Sequence, residues 1–128
     1  MRSLCWIFLL GSVATQPAFA QGWPQIFQAI GDGDAEKLSQ FFSENVEVAL
    51  LDNEDLYSKT EAGKLVSEFF TDYPVKNFSE VHRGNSRDNV SQYCIGNLVT
   101  DEGTFRVYIY ISSEAGESVI QELRFDQG

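Results

Sequence analysis

The sequence predicts an α+β domain, with helices gathered in its first half and a sheet in its second. Two patterns predict it. Up to Tyr73 the apolar residues recur mostly at helical spacing, broken by one short strand, and after Pro74 they alternate in runs divided by turn residues. A third observation sets where the domain starts. Arg2, an apolar run from Leu4 to Val13, and Ala18-Phe19-Ala20 have the plan of a secretory signal peptide cut before Gln21. The run is too short for a membrane span, which takes roughly 20 apolar residues. The expected organisation is therefore a signal peptide over 1–20 and one domain over 21–128, periplasmic or secreted.

The leader carries Cys5 away, which leaves Cys94 as the one cysteine of the mature chain and excludes an internal disulfide. A single such thiol is expected to be buried as a small apolar side chain. The whole chain has a formal charge of −10. Without Arg2, eight basic face nineteen acidic side chains, a balance of −11. Nucleic acid is excluded as a partner, because phosphate neutralisation needs clustered Lys and Arg. Anionic lipid would repel the chain.

In the mature chain, Trp23, Ile26, Phe27 and Ile30 form one face of a helix, with Pro24 in its first turn. Asp34 then caps a second short helix, whose Ala35, Leu38, Phe41 and Phe42 face inward. Val46 to Leu51 is a short strand ending at the Asp52-Asn53 turn. Ser58 and Glu61 make a capping box ahead of the Ala62, Leu65, Val66, Phe69, Phe70, Tyr73 stripe. Pro74 ends that helix.

Four strands are expected near 77–84, 90–100, 104–112 and 118–126, with turns at Asn85 to Asn89, Asp101 to Gly103 and Ala115 to Glu117. A three-residue loop at Asp101 to Gly103 pairs Thr100 with Thr104, and sets Val99 opposite Phe105 and Ile95 opposite Ile109. The same logic at the last turn pairs Ile109 with Leu123 and Val107 with Phe125. This register puts Tyr93, Ile95, Val99, Phe105, Val107, Ile109, Ile111, Leu123 and Phe125 on the helix side, with Asn97 and Gln121 as polar exceptions. The other face carries Cys94, Gly96, Leu98, Arg106, Tyr108, Tyr110, Glu122 and Arg124. There Tyr108 would cover Gly96 and lie beside Arg124.

Several stretches resemble a bacterial exported family of uncharacterised function. They are Tyr57-Ser58-Lys59, His82-Arg83-Gly84-Asn85-Ser86, Tyr93-Cys94-Ile95-Gly96, Gly103-Thr104-Phe105-Arg106-Val107-Tyr108 and Ile120-Gln121-Glu122-Leu123-Arg124-Phe125. That family is a domain of unknown function within the nuclear transport factor 2-like (cystatin-like) superfamily. The resemblance implies a cone, with N-terminal helices packed on a curved antiparallel sheet. It does not imply an activity, because that scaffold hosts isomerases, dehydratases, carriers and interaction modules.

Isomerases of this fold use a pocket aspartate as base, with tyrosine and a neutral carboxylic acid as donors. The face expected to line the cone offers Tyr93, Asn97 and Gln121 and no carboxylate. Asn97 could bond a ligand carbonyl or satisfy a helix terminus. His82, the one histidine, would join them if it faced inward. Its face is open: it follows Phe78 and Glu80 inward, or Val81 inward puts it out. One histidine and one mature cysteine make no zinc site of familiar type. Gly31-Asp32-Gly33-Asp34 lacks the spacing of a calcium loop. No metal or other cofactor is expected, and no catalytic residue is assigned.

Arg106, Tyr108, Tyr110, Glu122 and Arg124 form the candidate dimer face, in a superfamily many of whose members pair through their sheets. Three readings follow, in order. The first is a binding module whose apolar cone pocket takes a small apolar ligand or peptide, fringed by Tyr93, Asn97, Gln121 and His82. The second is a homodimeric interaction protein, and the third an isomerase- or dehydratase-type enzyme with His82 as base and Tyr93 as donor.

Overall fold

The computed structural model describes residues 18–86 and 90–128. Most of the expected leader and part of the Asn85 to Asn89 turn lie outside the described residues. Helix α1 spans Ala18–Gly31. Helix α2 spans Ala35–Ser39, with the Asp34 side chain accepting from the Lys37 amide. It is shorter than expected. Phe42, assigned to its inward face, opens strand β1 (Phe42–Leu50) and is buried there. Helix α3 spans Lys59–Asp72 and begins with the predicted capping box. Ser58 Oγ accepts from the Glu61 N–H at 3.2 Å, and Glu61 Oε1 accepts from the Ser58 N–H at 3.3 Å.

Six strands make one sheet. The others are β2 (Asn53–Ser58), β3 (Val75–Asn85), β4 (Ser91–Thr100), β5 (Gly103–Glu114) and β6 (Glu117–Gln127), in the order β2-β1-β6-β5-β4-β3. Strand β2 was not anticipated. The sheet is also not wholly antiparallel, because β1 runs parallel to β6.

The register of β4 corrects the sequence reading. Thr100 pairs with Gly103, so the connection has two residues, Asp101 and Glu102. Thr100 holds it: its hydroxyl donates to the Gly103 carbonyl at 2.7 Å and accepts from the Glu102 N–H at 3.0 Å. Gly103 does take a positive φ of 123°, but as the first residue of β5. Shifting a strand by one residue exchanges its faces. Cys94, Gly96, Leu98 and Thr100 therefore face the helices and are buried, while Tyr93, Ile95, Asn97 and Val99 face away and are half-buried.

The last hairpin gives the expected pairs by a different route. Ala115 and Gly116 form a two-residue turn, both with positive φ (52° and 81°), as a type I′ turn requires. A bulge at Gln121 then restores the residue the shorter turn removed. Ile109 consequently lies opposite Leu123, and Val107 opposite Phe125, as predicted.

Among the described residues, the side chains between helices and sheet pack closely. Ile26, Ile30, Leu38, Val46, Val66 and Phe125 have no accessible surface, so no water-sized space opens against them. Phe69 sits among Tyr73, Phe105 and Phe125 at ring-centroid distances of 4.8, 5.3 and 4.5 Å. Gly96 belongs to this packing. The Phe78 ring lies over it on the helix side, and Phe78 meets Phe27 at 5.5 Å. Tyr108, expected to cover Gly96, instead pairs with Ile95 on the opposite face.

Candidate functional site

One side of the sheet packs on the helices and the other is open. The open side is built from rows of residues aligned across the strands. One row runs Leu56, Glu47, Glu122, Tyr110, Tyr93, Gly84, and the next runs Glu54, Ala49, Arg124, Tyr108, Ile95, His82. Tyr108 and Tyr110 are each 37% exposed. Along these rows lies a groove of about 560 Å³ walled by Tyr93, Ile95, Tyr108 and Tyr110, with Glu122, Arg124 and Asp126 also in its lining. Such a size lies within the range of small-molecule sites.

The pocket candidates of the sequence are thereby relocated. Tyr93 and Asn97 are on the open face, because the β4 register exchanges its sides. Gln121 is the bulge residue of β6 and points its amide at Ser112 Oγ (2.8 Å) and Glu114 Oε2 (2.7 Å), away from the cone. His82 also faces outward, for a reason neither alternative considered. Phe78 is inward, but a bulge between Glu80 and His82 interrupts the alternation. His82 Nε2 comes to 3.1 Å from the Tyr93 hydroxyl. Gly84 makes room for this pair, since a Cβ there would stand 2.6 Å from the Tyr93 oxygen. The two residues do converge, yet on the exposed side of the sheet. An isomerase-like base and donor enclosed by the cone are not formed by them.

The dimer-face candidates do share one side. Arg106, Tyr108, Tyr110, Glu122 and Arg124 all fall on the open face, with Tyr108 opposite Arg124 and Tyr110 opposite Glu122. Arg106 Nε donates to Asn97 Oδ1 at 3.1 Å, across β4 and β5. Arg124 Nη2 reaches Glu54 Oε2 at 2.9 Å and Glu122 Oε2 at 3.8 Å.

Glu47, Glu54 and Glu122 bring their carboxylates within 4.8 Å of one another. Crowding by Glu122, with Glu54 adding to it, raises the Glu47 pKa above the ordinary carboxylate value, and Arg124 opposes the rise. The Arg124 guanidinium already lies against this trio, which therefore does not present three free carboxylates to a metal ion. Cys94 faces the packed interior, and burial pushes its thiol up to about 12, too high for a reactive thiolate at neutral pH.

Sequence reasoning missed Glu47, Glu54, Asp126 and Ile95 as parts of this surface. The β6 pattern beyond Glu122 and Arg124 already implied Asp126, which continues the same alternation. Glu47 and Glu54 carried no such signal, because the pairing of β1 and β2 with the meander is not written in local periodicity.

Comparison with known proteins agrees with this architecture. The family described as a domain of unknown function, DUF4783, matches residues 23–126. The chain belongs to the DUF4783 family. A DUF4783 crystal structure from Bacteroides ovatus is 28% identical, with a TM-score of 0.77 over 81% of this chain and 93% of that one. Another, from Bacteroides uniformis, is 25% identical, with a TM-score of 0.78 over 84% and 97%. Beyond the DUF4783 family, a Nostoc punctiforme protein of unknown function with a cystatin-like fold aligns at 8% identity. Its TM-score is 0.65, over 85% of this chain and 87% of that one. Nuclear transport factor 2-like designs also align, one with a TM-score of 0.65 at 15% identity. No curated protein matches the sequence. These likenesses establish family and fold. Among the described residues, no helix is long and apolar enough to cross a membrane.

Proposed function

We propose that this DUF4783 protein is an exported binding module that works through the open face of its sheet and not through the inside of the cone. The observation that carries the reading is the tyrosine-walled groove of about 560 Å³ on that face, set against an interior whose central side chains have no accessible surface. A large, partly exposed aromatic surface on a rigid sheet is a common binding platform, since its rings lose little freedom when a ligand covers them. The leader-like first twenty residues support export, and the bound species would then be met outside the cytoplasm.

A second reading, that the face pairs two copies into a homodimer, is favoured by a specific observation. Tyr108 and Tyr110 stand exposed beside Ile95, with Arg106 and Arg124 near them, and aromatic residues and arginine are enriched in protein interfaces. Neither reading assigns catalysis.

Fragment screening by NMR on the ¹⁵N-labelled protein separates the faces. Binding on the open face moves amides of β4, β5 and β6 around Tyr93, Tyr108 and Tyr110. Ligand-induced shifts confined to α1, α3 and the Phe69 cluster would instead locate binding inside the cone and end the proposal.

A further inference from the structure

We propose that the groove is selective for small organic cations: an ammonium or guanidinium group carried on a compact apolar body. This rests on the open-face reading and adds the chemistry of its ligand.

The walls supply the first reason. Tyr93 and Tyr110 are direct partners across β4 and β5, and Tyr108 lies two residues along the same face from Tyr110. Ring faces attract a cation that approaches within about 6 Å, an effect that works out at roughly 3- to 30-fold in affinity. Ile95 completes an apolar floor for the body of the ligand.

Charge supplies the second. The open face carries the carboxylates of Glu47, Glu54, Glu122 and Asp126 against the guanidiniums of Arg106 and Arg124. Both guanidiniums are engaged, Arg124 with Glu54 and Arg106 with Asn97. In the groove itself Glu122 and Asp126 outnumber the Arg124 guanidinium two to one, and that guanidinium is held by Glu54, so the residual charge where the ligand would sit is negative. The raised proton affinity of Glu47 is the same excess felt by a neighbouring carboxylate. An anionic ligand would meet repulsion, and a neutral one would leave the excess unused.

Geometry supplies the third. The groove runs over the middle strands β4, β5 and β6, whose backbone groups are already paired on both sides. It offers no free edge to an extended peptide, which docks by adding a strand. A second copy in the same position would bring its own surplus of carboxylates to a face that already has one.

Choline and 3,3-dimethylbutan-1-ol test the proposal, because they share a shape and differ in charge. Each is titrated into the ¹⁵N-labelled chain purified from an exporting host. Choline is expected to move the groove amides of β4, β5 and β6 saturably and to bind at least about 3-fold more tightly than the alcohol. Tyr108→Leu and Tyr110→Leu, at partly exposed positions, should leave the melting temperature nearly unchanged and remove that preference. Glu122→Gln should weaken choline and leave the alcohol unaffected. Equal or tighter binding of the alcohol on the open face overturns the cation proposal while the open-face reading stands. No response to choline overturns it as well. Shifts from both probes on the helix-covered side overturn the proposal and the reading together.

Discussion

Gly96→Ala tests the register on which the open face depends. On the observed register Gly96 faces the helices, and a Cβ there would meet Phe78 Cε1 at 2.5 Å and the Ser79 carbonyl oxygen at 2.8 Å. Real Cβ atoms do not approach so closely, and the carbonyl belongs to the backbone of the neighbouring strand. Phe78 cannot yield without disturbing Phe27, which stacks in turn on Trp23 at 5.3 Å. Overpacking of this kind costs about 1–3 kcal/mol. For a domain of this size that lowers the melting temperature by roughly 4–8 °C for each kcal/mol. On the alternative register Gly96 lies on the open face, where alanine restricts the unfolded chain and stabilises by about 0.4–1 kcal/mol. The two registers therefore predict opposite signs. Thermal unfolding followed by circular dichroism reads the difference. Pairing Gly96→Ala with Phe78→Leu should recover part of the loss, since the two residues are in contact. An unchanged or raised melting temperature for Gly96→Ala alone would refute both the register and the relocation of Tyr93 and Asn97.

Three further outcomes follow from the same structure. Cys94, buried and with its thiol raised to about 12, should resist Ellman's reagent at pH 8 in the native protein and react once urea unfolds it; rapid native labelling would contradict its placement. Ser58→Ala removes the acceptor for the Glu61 amide and should cost about 0.5–2 kcal/mol in urea unfolding, whereas Ser58→Asp should restore most of it. Glu47→Gln should raise stability modestly at pH 7. A carboxylate whose folded pKa is raised binds its proton more readily when folded, so its penalty is full above that pKa and disappears below the unfolded value of about 4.3. The gain should therefore be absent at pH 3, and a gain that persists there would show that Glu122 crowding is not its cause.

Helix α3 and the alternation of β5 were legible because their signals are local. A capping box, an apolar stripe and a proline stop fix α3 within its own residues, and β5 alternates cleanly between buried and exposed positions. Strand β4 was misread because its inward set, Cys94, Gly96, Leu98 and Thr100, is less apolar than its outward set of Tyr93, Ile95, Asn97 and Val99. Hydrophobic content therefore argued for the wrong side. What completes the inward set is the Phe78 ring over Gly96, contributed by another strand and invisible to any window along β4. Strand β2 escaped notice because it is an edge strand with nearly every residue exposed, so no alternation marks it. Bulges at Val81 and Gln121 each turn a strand over with no glycine to announce it.

The candidate site was therefore half legible. Its β5 and β6 residues were grouped correctly as a surface, and its β4 residues were assigned to a pocket on the opposite side. Joining Tyr93 and Ile95 to Tyr108 and Tyr110 is what changes a row of polar cross-strand pairs into a groove with aromatic walls.

Native mass spectrometry tests the open-face claim most directly. The protein would be purified gently from an exporting host, as wild type and as Tyr108→Ser/Tyr110→Ser. Wild type carrying added non-protein mass or forming a dimer, beside a bare monomeric variant, is the predicted result. The same added mass or dimer in both proteins would place binding elsewhere and contradict the claim.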